Sequence, residues 1–318
     1  MRFPSGLYNH SLALLTDLYQ VTMAYGYWQK TMGDRQCAFH LFFRDNPFGG
    51  GYSVGCGLAY AIDFLKCLKF TPNETLYLGE LVGADGRALF DKKFLTYLQA
   101  LELTCDVDAV PEGTIVFPQE PLIRIKGPLL QCQLIETALL NIINFQTLIA
   151  TKAARICTAA QNSSVLEFGL RRAQGIDGAL AASRAAYIGG CSATSNVLAG
   201  KLFGIPVKGT HAHSWVMAFG NDADAFQAYA ESVPNNCIFL VDTYDTLDGV
   251  KKATQVGRWL KKNGHEMLGV RLDSGDLASL SVKPRKLLDA SGFASTQIVG
   301  GNDLDAHCLL YTSDAADD

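Results

Sequence analysis

The apolar positions of this chain change rhythm near residue 165. Beyond it, short and almost continuous apolar runs (VLEFG, IPVKG, CIFLVD, MLGVRLD and TQIVGGND) each end in a polar cluster and lead into a helical segment. Strands buried on both faces of a parallel sheet read this way, because the crossover helices cover both sides. The clusters are Arg171-Arg172, Thr210-His211-Ala212-His213, Asp242-Thr243, Arg271 to Asp276, and Asn302-Asp303. Polar residues at the carboxyl ends of parallel strands are where barrels and open α/β sheets place their chemistry.

Up to about residue 127 strands and helices are mixed instead. A helix is expected from Thr16-Asp17 to about Lys30, with Asp17 and Gln20 at capping-box spacing and Gly33 at its stop. CAFHLFF reads as a strand ending in the turn Asn46 to Gly51, with GYSVGCG after it. Leu58 to Leu68 and Lys92 to Leu101 read as helices, and Pro128 opens a long helical region to about Ala160. Gly113 to Lys126 is β-rich, and Pro118 and Pro121 suit it to short or edge strands. The glycine run from Gly49 to Gly57 lacks the G-K-[ST] of a P-loop and the last Gly of G-x-G-x-x-G, so it reads as a hairpin turn between strands.

The length of 318 residues, 48% hydrophobic, is ample for a large core. A net charge of −4 gives no electrostatic reason to expect nucleic acid. The nine cysteines are scattered singly without any C-x-x-C, which suits reduced thiols in a cytoplasmic protein rather than a zinc or disulfide framework. The first residues, MRFPSGLYNHSLALL, do not form a signal peptide. The most apolar segment, Ala138 to Ala150, carries Asn141, Asn144, Gln146 and Thr147, so no membrane span is expected.

The clusters hold the candidate chemistry. His211 and His213 flank Ala212 with no third ligand nearby, which makes zinc a weak reading; one catalytic His at a strand end fits better, and a structural His is the alternative. Arg271 offers a planar fork for a carboxylate or phosphate, and Asp273 or Asp276 could hold ribose hydroxyls or a cation. The plainer alternative is a surface ion pair with Asp276 as a helix N-cap. Of Arg171 and Arg172, one can bind an anion while the other snorkels.

The segments LLTDLYQVTMAYGYW, NPFGGGYSVGCGL, PEGTIVFPQEPLI, EFGLRRAQGIDG, SNVLAG, GTHAHSW, VDTYDT and GVRLDSGDL, in that order, resemble the nicotinate phosphoribosyltransferases from Leu14 to about His307. The resemblance implies an α/β protein: an N-terminal α/β domain (1–127) packed on an irregular α/β barrel with a leading helical segment (128–307). It implies a reaction of nicotinate with 5-phosphoribosyl 1-pyrophosphate, ATP as co-substrate, Mg2+ accompanying the phosphates, and a homodimer with active sites at the subunit interface. His213 resembles the His phosphorylated by ATP, and Tyr19 the aromatic residue that stacks on the pyridine ring from the partner subunit. Arg271 and Thr210 match nicotinate contacts; Arg171, Asp242 and Asp273 fall where relatives place substrate-binding groups. Nicotinamide and quinolinate phosphoribosyltransferases are the nearer alternatives, and a non-catalytic pyridine- or nucleotide-binding protein is the alternative of another class.

The tail Cys308 to Asp318 (CLLYTSDAADD) has neither periodicity nor family likeness. With five strand signals after residue 165, where a barrel normally has about eight strands, the expectation is an incomplete barrel and an inactive fragment; the resemblance implies further strands in the relatives, with a Gly-Thr or Gly-Ser turn that binds the 5′-phosphate.

Overall fold

The computed structural model describes residues 11–161, 163–301, 304–307 and 309. Asn302, Asp303 and the tail from Cys308, apart from residue 309, lie outside the described residues. The fold is mixed α/β, as the rhythm predicts, and the chain forms two compact units: Met1–Cys157 with Ser163–Val207, and Thr158–Asn162 with Lys208–Asp318.

In the first unit, α1 (Leu18–Gln29) precedes β1 (Gln36–Leu41), β2 (Ser53–Val54), α2 (Leu58–Cys67), α3 (Pro72–Glu80), α4 (Lys92–Gln99), β3 (Asp106–Ala109), β4 (Ile115–Val116) and β5 (Ile123–Pro128). Then follow α5 (Leu129–Leu134), α6 (Glu136–Ala159), β6 (Leu166–Glu167), α7 (Ile176–Ile188), β7 (Ala193–Thr194) and α8 (Val197–Phe203). Sheet order is β1-β5-β3, all antiparallel, with β2 paired to β4 and β6 parallel to β7. The expected boundary at 127/128 falls inside this unit. There β5 runs directly into α5, and Ile123 and Ile125 share one core with Cys132, Ile135, Leu139 and Ile142.

Several local expectations are corrected. The segment 113–126 supplies the expected short edge strand in β4, two residues long in a two-stranded sheet, but β5 is a central strand, because Pro118 and Pro121 fall before it and Pro128 at its last position, leaving its interior amides free to pair. The glycine run is not a hairpin turn, since β1 and β2 belong to different sheets. Gly57 instead caps α2 with φ 107°, and a Cβ there would stand 2.9 Å from the Ile142 carbonyl oxygen of α6. Its conformation and close packing explain the glycine. α1 lacks the capping box, for Asp17 accepts from the Thr137 hydroxyl at 2.9 Å while Gln20 is fully buried and donates to the Tyr19 phenol oxygen. The helix stops at Gln29, and Gly33 serves a close approach to Leu130. The box that does form is Thr71 with Glu74 at the start of α3.

In the second unit α9 (His213–Phe219), α10 (Asp222–Ser232), β8 (Cys237–Leu240), α11 (Thr246–Lys262), β9 (Met267–Leu272), α12 (Leu277–Ala290) and β10 (Gln297–Gly300) alternate as the apolar runs predict. Three parallel strands run in the order β10-β9-β8, and the described residues contain no closed barrel. IPVKG is the exception among the runs. Pro206 offers no amide to a ladder, and only a bridge from Val207 to Thr194 forms, within the first unit. Phe226, Phe239, Val241, Val250, Ala253, Leu260, Val270, Leu272 and Leu288 make the core under this sheet.

One contact of that core sets the height of the site. Gly249 of α11 lies so close to β8 that an added Cβ would collide with the Val241 carbonyl oxygen and stand 3.1 Å from its carbon. Gly249→Ala must push α11 away from Val241, the residue between β8 and Asp242. Overpacking of this kind costs about 1–3 kcal/mol. A urea midpoint unchanged by the substitution would show that α11 has room to yield.

Candidate active site

The residues that follow β8 and β9 converge on the loop before α9. Arg271, the second-last residue of β9, donates from one terminal nitrogen to Thr210 Oγ1 at 3.1 Å and from the other to Asp273 Oδ1 at 2.7 Å. Asp273 in turn donates its backbone N–H to Asp242 Oδ2 at 2.7 Å, and the Ser274 hydroxyl donates to the same oxygen at 2.7 Å. Two donors on one oxygen fix the Asp242 carboxylate. Its other oxygen, Oδ1, is buried without a hydrogen-bond partner. Buried polar atoms are normally satisfied, so such an atom marks a place where a donor is meant to come.

His213 stands opposite that oxygen. Its Nε2 is 3.9 Å from Asp242 Oδ1 and 3.8 Å from Asp273 Oδ2, and its Nδ1 is 3.1 Å from the Thr243 hydroxyl. The side chain is 38% exposed whereas that of Asp242 is 2% exposed, so the imidazole is the accessible member of the group. Gly301, after β10, closes the other side. Its backbone N–H donates to the Leu272 carbonyl at 2.8 Å, and a Cβ would run into Asp273 Oδ1.

The two histidines have parted in role. His211 is buried against Phe226, Tyr229 and Phe239, and its Nε2 accepts the Leu240 N–H at 3.2 Å. Burial pushes its pKa down to about 4, helped by the nearby Arg271 and His213, so it is neutral at physiological pH. It is a core residue that ties the loop to β8, a role the sequence pair left unassigned. Asp276 is likewise structural: it caps α12 by accepting from the Ala278 and Ser279 amides.

The structure thus brings Thr210, His213, Asp242, Arg271 and Asp273 together and adds Thr243 and Ser274. Sequence reasoning missed those two hydroxyls because Ser and Thr at strand ends are commonplace; their neighbours Asp242 and Asp273 were the signal. Tyr19 and Arg171 belong to the first unit. Tyr19 is half-exposed on α1, and Arg171 is exposed on the short 3-10 turn Leu170–Arg172.

An imidazole at the start of α9, facing a guanidinium and two carboxylates at the carboxyl ends of the parallel strands β8 and β9, defines an α/β protein equipped to handle an anion. Residues 14–144 match the family described as nicotinate phosphoribosyltransferase N-terminal domain. A nicotinate phosphoribosyltransferase of Bacillus subtilis (strain 168) is 48% identical over 308 residues, covering 96% of this chain and 61% of the relative. The crystal structure of human nicotinic acid phosphoribosyltransferase superposes with TM-score 0.84 and 35% identity, covering 93% of this chain and 69% of that one. That of a nicotinate-nucleotide pyrophosphorylase from Pyrococcus furiosus gives 0.76 and 25%, covering 96% and 70%. The chain belongs to the nicotinate phosphoribosyltransferase family. It spans about three fifths of the length of the curated relatives it matches.

Proposed function

We propose that the whole protein makes nicotinate mononucleotide and pyrophosphate from nicotinate and 5-phosphoribosyl 1-pyrophosphate, and that ATP hydrolysis drives it through a phosphohistidine at His213. The observation that carries this reading is the accessible imidazole flanked by two carboxylates and standing beside the Arg271–Thr210 pair. The pyridine nitrogen attacks C1 of the sugar as the C1–O bond to pyrophosphate breaks. Positive charge then develops on the ribose, and Asp242 and Asp273 are the fixed negative groups nearest to meet it. The planar fork of Arg271 matches the geometry of the nicotinate carboxylate, with Thr210 beside it.

Among the described residues no set of three or more His, Cys, Asp or Glu is arranged to hold a metal ion. In this reading Mg2+ enters with the phosphates of ATP and the sugar pyrophosphate, whose charge it neutralises. Tyr19 would stack on the pyridine from the partner subunit of a homodimer, and Arg171 would take a substrate anion. No described helix is long and apolar enough to cross a membrane. The scattered free thiols suit a reducing cytoplasm.

Arg271→Lys tests the carboxylate grip. Lysine keeps the charge but loses the fork, so nicotinate binding should weaken by about 1–3 kcal/mol, read as a rise in KM. An unchanged KM for nicotinate would show that Arg271 serves phosphate or structure instead. Nicotinamide, assayed in parallel, distinguishes the amide-using relatives: it has no carboxylate for Arg271 and should be a poor substrate.

A further inference from the structure

We propose that Thr243 is the positioning residue of His213: its hydroxyl donates to Nδ1, and the ring's own proton sits on Nε2 between Asp242 and Asp273. The inference rests on the phosphohistidine reading for its consequence but not for its geometry. Carboxylates only accept. Asp242 Oδ2 is occupied by two donors, Asp273 Oδ1 by Arg271, and the remaining oxygens of both acids lie 3.9 and 3.8 Å from Nε2. Two acceptors on one side of the ring favour a proton on the nitrogen that faces them. A neutral imidazole carries one N–H, which leaves Nδ1 with its lone pair towards Thr243 Oγ1 at 3.1 Å. The hydroxyl can turn to donate there. His211, the other imidazole of the loop, is held neutral in the core, and Arg271 is engaged by Thr210 and Asp273.

The arrangement fixes which nitrogen reacts. Nδ1 attacks the terminal phosphorus of ATP; the N–P bond forms as the bridging P–O bond breaks, and ADP leaves with the electron pair. Nε2 keeps its proton throughout, and the positive charge that grows on the ring is met by Asp242 and Asp273. Thr243 holds the ring until then and releases Nδ1 when its side chain turns about Cα–Cβ, which carries Oγ1 off the lone pair and clears the approach of the phosphorus. Adjacent residues after β8, Asp242 and Thr243, therefore control opposite nitrogens of one imidazole.

The test is nitrogen NMR of the full chain labelled at histidine, with His213→Ala to assign the signal, on wild type, Thr243→Val and Thr243→Ser. Wild type should show Nε2 protonated and Nδ1 bare but hydrogen-bonded. Valine, nearly isosteric, should move the Nδ1 signal towards that of a lone pair without a donor, and serine should leave it in place. Phosphoenzyme formation from labelled ATP should fall about tenfold in Thr243→Val, the scale of one hydrogen bond, and recover in Thr243→Ser. A protonated Nδ1 in wild type, an Nδ1 signal indifferent to valine, or undiminished phosphorylation of the valine variant would each overturn the proposal. Should the NMR signatures hold while none of the three proteins is phosphorylated, Thr243 keeps its role and the phosphohistidine reading falls.

Discussion

Replacing Arg184 by Ala will destabilise the first unit by about 3–5 kcal/mol, because it strands a buried carboxylate. Arg184, 8% exposed on α7, donates through both terminal nitrogens to the two oxygens of Glu112, at 2.8 and 2.6 Å. Glu112 also accepts the Gly57 N–H at 2.8 Å, at the cap of α2. The pair thus joins α7, the β3–β4 connection and the start of α2, and the guanidinium lies over the Tyr60 ring. Burial pushes the Glu112 carboxyl up, but the hydrogen bonds and charge of Arg184, with the Gly57 amide, outweigh it and hold the pKa below the usual carboxylate value. In wild type that stability is complete above the unfolded carboxylate pKa of about 4.3 and is lost as pH falls through the lower folded value. Without Arg184 burial is opposed only by the backbone amides at the α2 cap and reverses the sign, so the variant's deficit should shrink as the pH falls towards 5 and Glu112 takes a proton. Replacing both partners by apolar residues should recover much of the loss. Urea midpoints near pH 8 and pH 5 check this, and equal midpoints for Arg184→Ala and wild type at pH 8 would mean that the pair contributes nothing.

His213→Ala will abolish phosphoenzyme formation and ATP hydrolysis while leaving the fold in place. The side chain is 38% exposed and opens α9 without joining the core, so its removal leaves little cavity. A weak transfer of ribose phosphate to nicotinate, independent of ATP, should survive, since the pocket still aligns both substrates. His211→Ala should do the reverse. It removes a buried ring packed on Phe226, Tyr229 and Phe239 and leaves the Leu240 amide unpaired, which lowers stability first. Thermal melts and labelled-phosphate incorporation on both variants separate the two roles. Undiminished phosphate on His213→Ala would move the phosphorylated residue elsewhere.

The second unit was the legible half. β8, β9 and β10 are short apolar runs ended by charge, and both the strands and the site at their tips follow from that pattern. The first unit hid more, because its determinants are partners distant in sequence. Nothing local in Gly49 to Gly57 tells that Gly57 must clear α6 some 85 residues on, or that Glu112 will pair with Arg184. The prolines of 113–126 suggest short or edge strands, which describes β4 but not β5, because nothing local tells that Pro118 and Pro121 precede the segment that pairs on both sides. Within the site, residue types were readable but the division of labour was not. His211 and His213 differ only in what packs around them, and Asp276 became a cap while Asp273 three residues earlier became a site residue. Tyr19 comes from resemblance alone, whereas Arg171 is also marked by its place after the apolar run VLEFG; both belong to the proposed substrate contacts.

The central claim is that nicotinate is the pyridine joined to the sugar phosphate. The most direct measurement is mononucleotide formation from labelled nicotinate or labelled nicotinamide, with 5-phosphoribosyl 1-pyrophosphate, ATP and Mg2+. It is made on residues 1–318 and on the same chain continued through the part of its relatives that it does not span. The account predicts that the continued chain converts nicotinate, consumes ATP in step, and leaves nicotinamide almost untouched. Preference for nicotinamide, or no conversion of nicotinate by either protein, would contradict it.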